Sequence, residues 1–508
     1  MALHFTNSDL KQKVDRIMDE LFAGGVNNPM TAIEQISYLM FLKSLTEMDE
    51  QQQKISELSG KKYESIFNGK ISKFGWRVIS RLAGDELYNT LSEVFEKLHE
   101  LPNLTPTGKT LFKQAHLKIY NRPTLRSVVA IIDSMDYNNT EKYDTDVKGD
   151  MYEYLLNRIA VSGTNGQFRT PRHIIKTMVE IVKPKPSDLI LDPACGTAGF
   201  LIEAYKYILA SNTSEDEHTA GRLTGDRLTP AQHEFLRTRA FSGYDNDADM
   251  IKVAIMNLYL HNLSQSNVVN FDPLTLPEEK KKKYDLVLAN PPFSGTINPE
   301  AIQEDIGLNT TKTELLFIKY MYDHLTEGGR CAVVVPEGIL FGSTGAHRKM
   351  RELLMDTCQI DAVVSLPSGV FKPYAGVKTA ILFYTKGGKT EKVWFYEVTG
   401  DGFTLDDKRQ PDEKNNNLKD LTSAYEIKVD GTYSWNATRD KIVAEEYNLT
   451  ASRYKPITLD TTEYRNPKDI IAEAVMLEIE IVEGMKRLGD KIGYGNKDFG
   501  NTGGYKDQ

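Results

Sequence analysis

The first part of the chain carries apolar residues at helical spacing. Ser8 is a suitable N-cap for a first amphipathic helix, and a second helix over Thr31–Met48 is apolar on more than one side, as expected of a buried helix. A further helix begins near Pro123, since proline is favoured in a first turn. The apolar face of the first helix is formed by Leu10, Val14, Ile17, Met18, Leu21 and Phe22. The pattern predicts an all-helical N-terminal domain over residues 1–145, used for packing or docking rather than catalysis.

From residue 146 onward, short apolar runs alternate with amphipathic segments. Such alternation of strands and helices indicates a doubly wound α/β sheet. The predicted strands are Asp188–Asp192, Phe241–Asp245, Tyr284–Asn290, Arg330–Pro336, Ile360–Leu366 and Thr379–Lys386. The pattern predicts a catalytic domain over residues 146–400, an irregular extension over 401–465 and a helical tail over 466–508. Within the tail, Pro467–Leu488 is predicted as one amphipathic helix.

Composition limits the class of protein. The 508 residues carry a net charge of −9, with 40% hydrophobic and 26% charged residues, as in ordinary soluble globular proteins. Three widely separated cysteines lack metal-ligand spacing, so we expect no metal site, and a reduced cytoplasmic setting fits. Without an apolar run of about 18 residues, no membrane association is expected. The acidic balance argues against a protein that grips nucleic acid over its whole surface unaided.

A short motif follows the strand that begins at Tyr284. Asn290, Pro291, Pro292 and Phe293 stand where that strand must end, because proline has no N–H for a sheet. Open α/β sheets bind ligands at the carboxyl ends of their strands. Asn290 Oδ1 and the Pro291 carbonyl could each accept one N–H of a planar amino group, while Phe293 could stack on its ring. The motif suits a transferase that acts on a conjugated amine. The alternative is an Asn-Pro turn that merely caps a strand.

A second motif has the features of a nucleotide-binding turn. Asp192 ends a predicted strand, and Gly196 and Gly199 permit close backbone approach before the next helix begins. Asp245 ends the following strand, where a carboxylate could accept both hydroxyls of a ribose. Asp272 would end a third strand and could face an adenine amino group. Any one of these acids could instead be a cap or turn residue. The spacing is not GxGxxG and the companion acid comes about 50 residues later, which disfavours a dinucleotide-dependent dehydrogenase.

Together these motifs resemble those of S-adenosylmethionine-dependent amino-methyltransferases. DPACGTAGF, GYD and NPPF carry that resemblance. QFRTPR is similar to the motif that closes over the methionine moiety in DNA adenine enzymes, which favours DNA adenine over protein glutamine or ribosomal-RNA guanine as the substrate. The closer resemblance is to the modification (methylase) subunits of type I restriction-modification systems, an N6-adenine DNA methyltransferase family. It covers most of the chain and is carried by Gly149–Leu156, Gly166–Arg172, Met256–Leu263, Thr313–Met321, Gly328–Phe341 and Leu366–Lys386.

The resemblance implies a Rossmann-like methyltransferase sheet, S-adenosylmethionine as cofactor and adenine in DNA as substrate. Asn290, Pro291, Pro292 and Phe293 would hold the target adenine. The residues that the resemblance assigns to the cofactor are Gln167, Phe168, Arg169, Thr170, Pro171, Arg172, Thr197, Ala198, Gly199 and Asp245. The positions of Asp192, Gly196 and Asp272 at predicted strand ends add these three residues to the predicted cofactor site. Phe271 stands where the family often has a glycine, which weakens the assignment of Asp272.

The resemblance also implies partners. A separate specificity subunit would read the DNA site, a second copy of this chain would join it, and a restriction subunit would add the nuclease. The catalytic motifs end near Lys386 with no recognition domain after them, which favours this interpretation over a solitary DNA adenine methyltransferase. Intact Asn290–Phe293 and Asp245 disfavour a non-catalytic scaffold. Pro467–Leu488 is the predicted docking segment, with packing on its own domain as the alternative.

Overall fold

The computed structural model describes most of the chain in two compact units. The units are Met1–Lys455 and Pro456–Gln508. The described residues are 8–60, 62–100, 106–113, 115–135, 147–160, 170–263, 265–275, 282–303, 306–373, 375–456 and 467–491.

The N-terminal part of the first unit is helical, as predicted. Its helices are α1 Ser8–Ala23, α2 Pro29–Ser59, α3 Trp76–Ile79, α4 Gly84–Lys97, α5 Pro106–Phe112 and α6 Arg122–Asp133. Two of them begin by the same device, an Asn N-cap followed by a proline in the first turn. Asn28 accepts hydrogen bonds from the backbone N–H groups of Met30 and Thr31, and Asn121 accepts one from Thr124. α2 is buried over most of its first half because the other helices pack around it.

The remainder of this unit is built on one large sheet. Its strands are β1 Ile190–Asp192, β2 Phe241–Asp245, β3 Asn267–Asn270, β4 Tyr284–Ala289, β5 Leu325–Pro336, β6 Cys358–Leu366, β7 Thr379–Lys386 and β8 Lys392–Glu397, and a ninth joins at the edge. A separate ribbon pairs β9 Asp401–Phe403 with β10 Pro411–Asn416, and β11 Ser434–Thr438 is the edge strand of the large sheet. Across the described residues the strand order is β11-β8-β6-β7-β5-β4-β1-β2-β3.

Five neighbouring strands of the sheet are parallel, and the next one is antiparallel. β3, β2, β1, β4 and β5 run in the same direction, whereas β7 is antiparallel to both β5 and β6. The predicted Rossmann-like α/β fold is confirmed by this arrangement. The carboxyl ends of β1, β2 and β4 therefore meet at one edge of the sheet, where open α/β sheets bind ligands.

Helices cover both faces of the sheet. They are α7 Val147–Ala160, α8 Arg172–Val182, α9 Gly199–Ser211, α10 Glu215–Thr219, α11 Pro230–Thr238, α12 Ala248–Leu260, α13 Thr313–His324, α14 Gly338–Phe341, α15 Gly345–Thr357, α16 Leu421–Ile427 and α17 Arg439–Ala444. Successive residues of β4 pack into opposite layers. Leu286 and Leu288 join the core with α8, α9, α12 and the N-terminal helices, while Val287 and Ala289 join the core with α13 and α15. A strand buried on both faces needs this continuous apolar run.

The structure differs from the sequence prediction after residue 400. The segment expected to be irregular contains β9, β10 and β11, and β11 pairs with β8 at the edge of the large sheet. β10 has the sequence PDEKNN, which lacks the alternation of a half-buried strand. Its pairing is made by backbone groups, so side-chain pattern does not predict it.

The second unit contains one long described helix, α18 Pro467–Lys491. It spans the predicted Pro467–Leu488 and continues for three residues. Among all the described helices, none is long and apolar enough to span a bilayer.

Candidate active site

Asn290 stands directly after β4, and its two amide atoms have different environments. Its Nδ2 donates a hydrogen bond of 2.8 Å to Oγ1 of Thr170, a residue of the QFRTPR motif. Its Oδ1 is buried and has no hydrogen-bond partner among the residues that the structure describes. Leaving a buried acceptor unsatisfied costs roughly 1–3 kcal/mol. An orphaned acceptor at a strand end is therefore suited to an N–H donor supplied by a ligand.

The turn after β1 is held in place by its neighbours. The Cys195 N–H donates to the Tyr244 carbonyl at 2.8 Å, and Gly196 has a φ of +51°, a region that favours glycine. On α12, Asn257 Nδ2 donates to the Thr197 carbonyl at 2.8 Å. Asn257 was missed as a site residue. Its signal was an asparagine between the apolar residues Met256 and Leu258, where a buried polar side chain must find a partner.

Asp245 has both carboxylate oxygens bonded to backbone groups. Oδ2 accepts from Gly196 N–H at 3.0 Å and Oδ1 from Asp247 N–H at 2.9 Å. Burial raises the pKa of Asp245, and the backbone hydrogen bonds only partly offset that effect. The carboxylate is thus fixed in orientation at the end of β2.

Asp192 is fully buried below the turn. Burial raises the pKa of its carboxyl to about 8, although a hydrogen bond from Ala194 N–H at 3.1 Å acts in the opposite direction. The charge of Asp245 raises this pKa further. Burial therefore favours the protonated form of Asp192.

One cavity of about 500 Å³ joins the two predicted halves of the site. It brings together ten of the predicted residues: Thr170, Asp192, Gly196, Thr197, Gly199, Asp245, Asp272, Asn290, Pro291 and Pro292. Met30 and Ile33, from helix α2, also line it. A cavity of this size is typical of small-molecule sites.

Four predicted residues lie beside the cavity rather than on its lining. Ala198 is buried with a φ of +64° as the residue before α9. Arg172 forms ion pairs with Glu153 and Glu203, so its side chain ties the start of α8 to α7 and α9. Pro171 is the residue before α8.

Phe293 is the fourth residue and packs against an aromatic side chain that sequence reasoning missed. Its ring meets the Phe371 ring edge to face, with centroids 5.2 Å apart and an interplanar angle of 85°. Phe371 belongs to the segment Leu366–Lys386 that carried the family resemblance, which was the available signal. Gln167, Phe168 and Arg169 lie outside the described residues.

Within the described residues, no cluster of three or more His, Cys, Asp or Glu side chains could hold a metal ion. Cys195 is buried, and burial raises the pKa of its thiol. A buried thiol is a poor nucleophile because the thiolate is the reactive form.

The cavity lies at the carboxyl ends of β1, β2 and β4. α/β enzymes bind nucleotide-type ligands at this position of the sheet. Comparison with known proteins specifies the class. Residues 143–462 match the N-6 DNA methylase family, and residues 10–147 match the HsdM N-terminal domain.

Similar proteins include methylase subunits of type I restriction enzymes. The chain is 30% identical to the EcoEI methylase subunit of Escherichia coli, with 92% of this chain and 94% of that protein covered. It is also 30% identical to the EcoKI methylase subunit of Escherichia coli K12, over 88% of this chain and 83% of that protein.

Solved structures agree on the fold. A chain from a structure on complex assembly and conformational transition of a type I restriction-modification system is similar with a TM-score of 0.70 and 26% identity, covering 96% of this chain and 99% of that chain. A methyltransferase subunit of such a system from Streptococcus thermophilus is similar with a TM-score of 0.68 and 19% identity, and the match covers 88% of this chain and 99% of that chain.

The chain belongs to the N-6 DNA methylase family, and within it to the modification subunits of type I restriction-modification systems. It is an adenine-specific DNA methyltransferase.

Proposed function

We propose that this chain transfers a methyl group from S-adenosylmethionine to N6 of an adenine that has left the DNA stack. The observation that supports this most is the buried Oδ1 of Asn290, which lacks a hydrogen-bond partner within the described part of the chain and whose amide is oriented by Thr170. An adenine amino group supplies the missing N–H donor. A base inside a duplex is out of reach, so the target adenine is flipped into the site at a cost of a few kcal/mol.

The cavity lining fits S-adenosylmethionine better than a phosphate-bearing cofactor. It includes the carboxyl groups of Asp245, Asp247 and Asp272, and the lining residues that the structure describes include neither Lys nor Arg. An acidic wall suits a ligand with a sulfonium, an ammonium and ribose hydroxyls. A pyrophosphate would meet the N-terminus of α9 in this cavity, but the carboxylates would repel its negative charge. In this proposal Asp245 accepts the ribose hydroxyls, and the backbone of Thr197 and Gly199 lies along the cofactor.

The protein's own residues then have two tasks, to orient the amine and to hold the base. Bound in the cavity, S-adenosylmethionine supplies a methyl group that is already activated. Asn290 Oδ1 and the Pro291 carbonyl accept the two N6–H groups and so orient the amine lone pair. Phe293, whose ring packs edge to face with that of Phe371, offers an aromatic surface for the base. Orientation and exclusion of water are the main sources of acceleration for such a transfer.

We further propose that the chain acts with DNA, a specificity subunit, a second copy of itself and a restriction subunit, in the cytoplasm where its DNA substrate lies. Helix α18 supports docking. Ten of its large apolar side chains are 49% to 67% exposed: Ile470, Ile471, Val475, Met476, Leu477, Ile479, Ile481, Val482, Met485 and Leu488. An apolar surface of this extent is typical of an interaction site.

The experiment is methyl transfer by Asn290→Ala in complex with the specificity subunit, using labelled S-adenosylmethionine and site-containing DNA. We expect transfer to be lost while cofactor affinity stays within a few fold, because the amide contacts the amine rather than the cofactor. Asn298→Ala is the matched control, since Asn298 follows in the same segment and is exposed. Full activity of Asn290→Ala would contradict the proposal. Site-specific methylation by the chain alone would favour a solitary methyltransferase instead.

A further inference from the structure

Two residues of the N-terminal helical domain form part of the cofactor cavity. Met30 and Ile33 lie in the first turns of α2 and line the cavity together with the residues of the glycine turn and Asn290. The apolar pattern of this domain predicts only packing or docking. Ile33 is buried and Met30 is half-buried, so the cavity wall is continuous with the core of the helical domain.

Contacts with α12 fix the position of α2. Glu34 pairs with Lys252 on α12 at 3.6 Å and with Lys118 at 2.6 Å. Further along, Phe41 packs on Tyr259 of α12 with ring centroids 4.4 Å apart. α12 begins three residues after Asp245, so α2 rests on the element that carries the proposed ribose acid.

Two more interactions hold the end of α2 that reaches the cavity. Asn28 caps the helix with hydrogen bonds from Met30 N–H at 2.8 Å and Thr31 N–H at 3.2 Å. Ser37 Oγ and Tyr152 Oη share a buried hydrogen bond of 2.8 Å between α2 and α7. The side chains of Met30 and Ile33 are thus presented by a capped, buried helix with contacts on two sides.

The cavity lining is divided by chemistry. Asp192, Asp245, Asp247 and Asp272 form its acidic part. Its apolar part combines the two α2 side chains with Leu156, Ile175, Phe200, Val253 and other apolar side chains from the catalytic region. A cofactor whose polar groups meet the acids can place its non-polar carbons against the apolar part, and burial of those carbons favours binding.

We propose that Met30 and Ile33 are cofactor-contacting residues, so that the N-terminal helical domain completes the S-adenosylmethionine site. This inference rests on the proposed cofactor. A consequence is that any partner or DNA contact that displaces α2 alters cofactor affinity. The alternative is that Ile33 only packs in the core. Its truncation would then lower the stability of the chain without changing its affinity for the cofactor.

The test measures S-adenosylmethionine affinity of the full chain by calorimetric titration, with the midpoint of thermal unfolding measured in parallel without ligand. Ile33→Ala is compared with Ile36→Ala. Both isoleucines are on α2 and 2% exposed, but only Ile33 is among the cavity-lining residues. We expect Ile33→Ala to weaken binding about tenfold and Ile36→Ala to leave affinity within about twofold, with similar loss of thermal stability in both.

Two further variants keep the inference falsifiable if Ile33→Ala folds poorly. Met30→Ala, at a half-buried position, should weaken binding several fold, and Ile33→Trp should fill the cavity and block binding in a chain with unchanged circular dichroism. Equal affinities in Ile33→Ala, Met30→Ala and Ile36→Ala, with a binding-competent wild type, overturn this inference only. A wild-type chain that binds no S-adenosylmethionine overturns the cofactor assignment and this inference together.

Discussion

The backbone N–H of Gly196 donates a 3.0 Å hydrogen bond to Oδ2 of Asp245, which joins the turn after β1 to the acid at the end of β2. The acid therefore has a structural role before any ligand arrives, because it fixes the glycine turn. Its other oxygen accepts from Asp247 N–H. A carboxylate held by two backbone donors is preorganised, so ligand binding involves little further loss of side-chain entropy at this residue.

Asp245→Ala should weaken S-adenosylmethionine binding by roughly 1.5–3 kcal/mol, the value of hydrogen bonds to a charged group. The loss combines the proposed contacts to the ribose with the support of the glycine turn through Gly196, and isothermal titration measures it. Asp249→Ala is the control, since Asp249 lies four residues further on, is well exposed and does not line the cavity. Undiminished affinity in Asp245→Ala would refute the assignment of this residue to the cofactor.

Thr170→Val should reduce the rate of methyl transfer rather than cofactor affinity. Valine keeps the shape of threonine but removes the oxygen that accepts from Asn290 Nδ2, so the amide loses its fixed orientation. A single hydrogen bond contributes about 0.5–1.5 kcal/mol, which corresponds to a rate loss from about twofold to tenfold. Single-turnover kinetics with the specificity subunit measures the effect. Thr170→Ser should restore the rate, and a serine variant as slow as the valine variant would count against this role.

The pH dependence of stability should contain a contribution from Asp192. Its pKa is raised to about 8 in the folded chain, against about 3.9 for an unfolded aspartate. The folded state therefore binds more protons, and its stability falls as pH rises from about 4 through 8. Asp245, whose pKa is also raised, acts in the same direction.

Asp192→Asn isolates this contribution, because asparagine keeps an acceptor for Ala194 N–H but carries no charge. The stability of Asp192→Asn relative to wild type should rise between pH 5 and pH 9. Urea unfolding at several pH values measures the difference. A difference that stays constant with pH would show that Asp192 ionises normally.

The pattern of apolar residues along the chain predicted those strands whose consecutive residues are all buried. β2 and β7 have the predicted bounds, and β4 ends one residue earlier than predicted, just before Asn290. These strands are buried on both faces, so their apolar runs are diagnostic. The edge strand β11 was not predicted, because its assignment depends on pairing with β8, far along the chain.

The same limit applies to the cavity. Motif residues at strand ends could be grouped in advance, since parallel strands bring their carboxyl ends together. The packing of α2 on α12 could not be predicted, because helical periodicity shows which face of α2 is apolar but not which element covers that face. Ile33 lies in the predicted buried helix Thr31–Met48 and Met30 just before it, so the pattern assigns neither residue to the cofactor.

Deletion of residues after Thr462 should separate the chain from the specificity subunit on a sizing column while S-adenosylmethionine affinity is retained. The deletion removes α18, whose apolar side chains form two adjacent stripes, Ile470–Leu477–Ile481–Leu488 and Ile471–Val475–Val482. Two stripes suit a helix that is covered by more than one partner helix. A chain that ends at Lys491 is the matched control and should still co-elute, because it keeps the whole helix. Co-elution of the shorter chain would contradict docking through α18 and would favour packing of this helix on its own chain.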